Sequence, residues 1–366
     1  MLTPWKDFPL TDFSTIGVSS CLLGEQVRYD GGHKHDRYIT DNLGRWFNLL
    51  PVCPEVGCGL PVPRDSMRLE GDPAAPRLVT RNSRMDRTDR MQAFCHAKVV
   101  ELESEELCGF IFKKDSPSSG LFRVKIYHDG IATKNSTGLF AAAMARHFPL
   151  LPMEEEGRLN DPDLRENFIE RLFCYRRWKI FLTSGPTVGR LVEFHAGHKL
   201  LMMAHSPAIY RATGTLVANG GNLPLPELLK SYEELFMNGL AQHTTPGKNA
   251  DVLRHMMGYF KKELTTGEKA ELLEVIKGYH DGLTPLVAPL TLLRHYVRKY
   301  DQQYLLGQIY LSPYPAELML HLEPKLTPLA LPRLHRHSAA DPRQQGGILM
   351  KRREKIDQTD PAVQEA

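Results

Sequence analysis

The chain has 366 residues, 42% of them hydrophobic and 24% charged, with a formal net charge of +3. That length allows two ordinary domains, each with its own core, and no apolar run approaches the roughly 20 residues of a membrane span. The net charge is too small to mark a nucleic-acid binder by itself.

The opening "MLTPWKDFPLTDF" carries acidic residues and no continuous apolar stretch, so no secretory leader is expected. Six irregularly spaced cysteines do not form a secreted disulfide framework and point to a reducing, cytoplasmic setting. Short apolar runs at 15–20, 49–52, 107–112 and 121–127 alternate with helical patterns within 37–48, 85–103 and 137–147. Such alternation predicts a parallel α/β sheet. The acidic, turn-forming "EEEGRLNDPDL" (154–164) then leads into a helix start, with Asn160 or Asp161 as cap and Pro162 in the first turn. Leu164, Phe168, Leu172, Tyr175 and Leu182 fall largely on one helical face. Further helices are predicted over 186–204, 225–243, 249–263, 266–279 and 288–306. The tail after residue 331, with "HSAADPRQQGG" and "MKRREK", lacks an apolar period and is expected to be disordered. The expected architecture is a parallel-sheet, Rossmann-like α/β domain (1–158), an all-α domain (159–331) and the tail (332–366).

Three predicted strands end in loops of unusual composition. The first runs into "SSCLLGEQVRYDGGHK", with Cys21 at its carboxyl end; the second into "LPVCPEVGCGLPVPR", with Cys53 and then Glu55; the third into "KKDSPSSG". Carboxyl ends of parallel strands share one sheet edge, where ligands bind, so two thiols, a carboxylate and a serine loop are expected to meet. One cysteine alone reads as a small buried residue; two in equivalent places beside Gly- and Pro-rich loops favour a site.

These three stretches resemble the motifs of the TudS thiouracil desulfidase family over about residues 15–148. "FHAGHKLLMMAHSPAIYRATGTLVA", "VLRHMMGYFKKEL" and "LLRHYVRKYDQQYLLGQIYLSPYPAELML" resemble the YbgA-like helical domain often fused to it. Together they are similar to the two-domain RudS-type desulfidases, which remove sulfur from 4-thiouridine in tRNA. The resemblance implies a 4Fe–4S cluster on three cysteines, with one iron left open to the substrate sulfur, and a thiolated uracil as substrate. It implies cluster ligation by Cys21 and Cys53 and puts Ser119 at the third cysteine position. Serine is a harder, less acidic donor than cysteine. Three readings of Ser119 stay open: a deliberate replacement, a natural serine with Cys58 as substitute ligand, or a homologue that binds RNA without catalysis. Cys108 opens the third strand, far from its carboxyl edge, and Cys95 and Cys174 read as core or surface thiols.

Glu55 is the expected base for the attacking water, and Ser116 and Ser118 are expected to donate hydrogen bonds to substrate or leaving sulfur. Asp30, Gly31 and Gly32 permit a tight turn beside a ligand, and Lys34 and Arg64 are candidate phosphate contacts. In the helical half, His195 and His198 have a spacing that permits a metal pair, though no third ligand suggests itself, and a packing or RNA-binding role is simpler. Arg176, Arg177, Lys179, Lys199, Arg254, Lys261, Lys262, Arg294, Arg298 and Lys299, interleaved with Trp178, Tyr259 and Tyr296, suit contacts to an RNA backbone and unstacked bases. The expected reaction is desulfuration of tRNA 4-thiouridine, with free thiouracil as the alternative substrate.

Overall fold

The computed structural model describes residues 14–315 and Leu318; the expected disordered tail and the first thirteen residues lie outside these. The N-terminal part is α/β. Strands β1 (Thr15–Ser19) and β2 (Asn48–Val52) pair in parallel. After the short helix α1 (Pro54–Gly57) come β3 (Met67–Glu70), β4 (Arg77–Thr80) and helix α2 (Thr88–Glu101). Then follow β5 (Gly109–Phe112), β6 (Val124–His128), β7 (Ile131–Ser136), helix α3 (Leu139–His147) and β8 (Met153–Glu155).

The main sheet has the order β2-β1-β5-β8 and is parallel throughout. Its centre is apolar because both faces are covered: all four residues of β5, "GFIF", are buried. The chain leaves β1 toward β2 and then crosses back to β5, so its direction reverses between β1 and β5. A crevice opens at the carboxyl ends of strands at such a reversal.

Two expectations need correcting. The run 121–127 does not join the main sheet. Its strand, β6, belongs to a second sheet of order β4-β3-β6-β7, parallel to β3 and antiparallel to β7. The acidic stretch at 154 begins inside β8, the edge strand of the main sheet, with Glu154, Glu155 and Glu156 all buried. Hydrogen-bond donors around them, described below, stabilise that burial.

The remainder is helical: α4 (Pro162–Thr183), α5 (Val188–His205), α6 (Pro207–Ala218), α7 (Leu225–Leu240), α8 (Pro246–Met257), α9 (Thr266–His280), α10 (Val287–Lys299) and α11 (Gln303–Leu306). Asp161 caps α4 by accepting from the amides of Asp163 and Leu164, with Pro162 in the first turn. The sequence pattern had not marked α6, in which Pro207 sits in the first turn and Ser206 is the cap. The run 288–306 divides in two because Asp301 takes a left-handed conformation, φ +45°. Helix α4 lies against the main sheet so closely that a Cβ on Gly109 would stand 2.2 Å from Leu172 Cδ2. Phe47 and Phe173 meet edge-on at 5.3 Å in the same contact. Behind them, Trp178 is fully buried among Phe181, Phe194, Tyr232 and Phe236. No helix among the described residues is long and apolar enough to cross a membrane.

Candidate active site

Cys21 sits in a single 3-10 turn directly after β1, which Gly24 closes at φ +94°. The returning loop docks on that turn, the Lys34 amide donating to the Cys21 carbonyl at 2.8 Å. Cys53 occupies the cap position of α1, with Pro54 in its first turn and Glu55 following, so the end of β2 presents a thiol and a carboxylate together. After β5, "KKDSPSSG" folds around the Ser116 hydroxyl, which accepts from the amides of Ser118 (3.3 Å) and Ser119 (3.1 Å). Helix α3 has no side-chain cap. Its first amides use this loop instead: those of Phe140 (2.8 Å) and Ala141 (3.2 Å) donate to the Ser118 carbonyl. That approach requires glycine before the helix, since a Cβ on Gly138 would stand 2.5 Å from the Ser118 carbonyl.

The three strand ends enclose a cavity of about 420 Å³. Cys21, Cys53, Glu55, Ser116 and Ser119 line it, together with Arg28, Lys34, Arg64, Arg81, Lys113 and Lys114. Glu55 is held from two sides. Its Oε1 accepts from the Ser118 hydroxyl at 2.5 Å and its Oε2 from the Cys53 thiol at 3.4 Å. Burial, then the Glu55 charge, pushes the Cys53 thiol up to about 12. Burial raises Cys21 to about 11, against the pull of the Lys113 ammonium. Both thiols are therefore protonated at neutral pH unless a metal displaces the proton.

Six cations line the cavity against three carboxylates, Glu55, Asp65 and Asp115. Lys113 pairs with Glu156, and Arg28 lies 3.5 Å from Asp30. Lys34, Arg64, Arg81 and Lys114 have no carboxylate partner among the described residues. The Arg64 Nε is buried without a hydrogen-bond partner among the described residues. Unpaired cations in a partly enclosed cavity attract an anionic ligand.

Not every expected site residue reaches this cavity. Ser118 is fully buried and outside the cavity lining, where its hydroxyl donates to Glu55. Cys58 lies beyond α1 with its thiol donating to the Glu55 carbonyl at 3.2 Å, off the cavity, so its position gives no support to a ligand role. Asp30, Gly31 and Gly32 form a tight turn, Asp30 Oδ1 accepting from the Gly32 amide at 3.1 Å, outside the cavity lining. Arg28, Tyr29 and Lys34, beside that turn, do line it. Cys108 lies at the amino end of β5, its amide bonded to the Thr15 carbonyl, at the opposite edge of the sheet. Arg81 had gone unremarked because it follows β4, in the sheet the sequence pattern did not reveal.

The helical half also departs from expectation. Arg176, Arg177, Trp178 and Tyr296 are buried, so they are core residues and not RNA contacts. Arg177 donates to the Pro313 carbonyl at 2.5 Å. Lys179, Arg254, Lys261, Lys262, Arg298 and Lys299 remain exposed. His195 bonds to the Tyr232 hydroxyl at 3.3 Å and His198 to the Phe194 carbonyl at 2.8 Å. Burial, aided by Lys199, lowers His195 to about 4, so its ring is neutral. Both are packing histidines, and among the described residues no His, Cys, Asp or Glu groups with them as a third metal ligand.

Residues 16–156 match the model of the 2-thiouracil desulfurase family, and residues 199–315 match a family described as a protein of unknown function, DUF1722. The uncharacterized protein YbgA of Escherichia coli (strain K12) is 30% identical over 151 residues, which are 41% of this chain and 89% of YbgA. The chain belongs to the YbgA family. It joins that helical domain to a desulfurase domain at its N-terminal side. Among solved structures, a [4Fe-4S]-dependent thiouracil desulfidase, TudS, is 29% identical, covering 40% of this chain and 93% of that one, with a TM-score of 0.33.

Proposed function

We propose that this chain removes sulfur from a thiolated uracil, with 4-thiouridine in tRNA as its substrate and a 4Fe–4S cluster as its cofactor. The observation that carries this reading is the meeting of Cys21, Cys53, Ser119 and Glu55 at three adjacent strand ends around one cavity. The donor types fit a cluster: Cys21 and Cys53 would supply the soft thiolates that iron prefers, and the Ser119 hydroxyl would be a third, harder donor. A bound cluster supplies a thiophilic Lewis acid for the thiocarbonyl sulfur.

The chain's own groups supply the rest. Glu55, fixed by the Ser118 hydroxyl, takes a proton from the water that attacks the ring carbon. The Ser116 hydroxyl lines the cavity and donates toward the substrate or the departing sulfur. The net change is hydrolytic: carbon loses sulfide and gains the oxygen of water, with no electron transferred. Lys34, Arg64, Arg81 and Lys114 hold phosphate, which favours a nucleotide-bearing substrate over a free base. We assign desulfuration to residues 1–158 and RNA contact to the exposed basic residues of 159–331. Six free cysteines suit a reducing cytoplasm.

Anaerobic iron and sulfide analysis, followed by assay on 4-thiouridine tRNA and on 4-thiouracil, tests the proposal. Iron with bound sulfide and turnover of the tRNA are expected, with tRNA affinity falling as salt rises because phosphate contacts release counterions. Salt-independent binding would remove the RNA substrate, and failure of both substrates with iron bound would remove the reaction. RNA binding without iron or turnover would instead favour a non-catalytic homologue.

A further inference from the structure

The loop carrying Ser116, Ser118 and Ser119 is gripped from behind by the strand that leads into the helical half. Glu156 Oε2 accepts from the Lys114 amide at 2.8 Å, and its Oε1 receives the Lys113 ammonium. Glu155 Oε1 accepts from two successive amides, Leu121 at 2.8 Å and Phe122 at 3.0 Å. One carboxylate thus holds the entrance of the loop and its neighbour the exit. Both are about 5% to 9% exposed, so their bonds form where water competes little.

We propose that Glu155 and Glu156 are positioning residues that fix the serine loop, and with it Ser116 and Ser119 at the cavity and Ser118 on Glu55. Glu155 ends β8 and Glu156 follows it, and the two carboxylates reach two separate ends of one loop. Neither carboxylate lines the cavity, so neither touches substrate. Arg158 supports the grip, bonding Glu154 at 2.7 Å and lying over the Phe122 ring at 4.7 Å. Buried acids this specifically partnered are not solvated linker residues. A sheet-edge strand needs no glutamates; a loop with unpaired amides at both ends does.

The inference rests on the desulfidase reading only for its activity readout. Amide hydrogen exchange by mass spectrometry on the full chain, covering residues 113–122, reads the grip directly. Glu155→Ala is expected to speed exchange there by roughly tenfold or more, since a charge-assisted acceptor for two amides is lost. Glu155→Gln keeps a carbonyl acceptor and is expected to stay near the parent. Glu156→Gln keeps the Lys114 amide bond but loses the Lys113 ion pair and falls between. With tRNA substrate, Glu155→Ala is expected to lower kcat about tenfold or more and change KM less than about threefold, with Glu155→Gln restoring kcat. The proposal is overturned if Glu155→Ala leaves exchange in 113–122 unchanged. It is equally overturned if exchange rises alike in β1 and β2, which denotes general loosening. A parent without desulfidase activity would sink the reaction and leave the exchange result to decide the grip.

Discussion

Cluster binding is expected to turn on Ser119. It lines the cavity beside Cys21 and Cys53 and differs from a cysteine by one atom of donor chemistry. Ser119→Cys is expected to raise iron and sulfide per chain after anaerobic reconstitution and to raise turnover about tenfold or more, because the third donor becomes a thiolate. Cys58→Ala, which changes a thiol off the cavity, is expected to leave iron content unchanged. Severe iron loss in that variant would restore Cys58 as a ligand. Glu55→Gln keeps the hydrogen bonds near Ser118 but removes the base, and kcat is expected to drop roughly a hundredfold with iron retained. Unaltered kcat would move the base elsewhere. Much of this cavity was legible in sequence, because apolar runs end abruptly in Gly- and Pro-rich loops and so mark strand ends. The position of Ser118 outside the cavity lining was not legible, because neighbouring serines in a turn look alike until the turn decides which one faces the cavity.

Elements whose burial depends on distant partners were the hardest to foresee. Strand β8 contains two glutamates that look like linker until the amides of residues 121 and 122 and the Arg158 side chain are set against them. Strands β3 and β4 are four residues each and carry charged side chains, so no apolar alternation announces them. Helix α4 is buried around most of its girth, which hides the core status of Arg176 and Arg177 behind their charge. The joint between α3 and the serine loop gives an element-scale prediction. Gly138→Ala places a methyl group 2.5 Å from the Ser118 carbonyl and must lift the helix off the loop. A cost of about 1–3 kcal/mol in urea unfolding is expected, as for overpacked sites, together with reduced turnover. Full stability and full activity would show that the helix does not brace the loop.

At the scale of the molecule, the helical half carries a group that links stability to pH. Burial, then the neighbouring Glu170 charge, raises Glu166 from its ordinary 4.5 to about 7, although Tyr314 donates to it at 3.2 Å. The folded protein holds this proton more tightly than the unfolded chain. Its stabilising effect is therefore complete below about pH 4.5 and is lost as pH rises to about 7. Glu166→Gln, which keeps an acceptor for Tyr314, is expected to be more stable than the parent at pH 8 by on the order of 1 kcal/mol or more, and equal to it near pH 4.5. Parallel unfolding curves for the two proteins across that range would show that Glu166 ionises freely.

The grip of Glu155 and Glu156 on the serine loop also bears on the order in which the protein can be finished. The loop at 113–122 leaves the ribosome more than thirty residues ahead of its two carboxylates, an interval of a few seconds at roughly 5–20 residues per second. Until those glutamates arrive, both ends of the loop lack their acceptors and the sheet lacks its last strand. Helix α4, whose Leu172 packs against Gly109, comes later still. The nascent α/β half therefore has a window in which its thiols are already made but their pocket is not, and cluster delivery belongs after that window has closed.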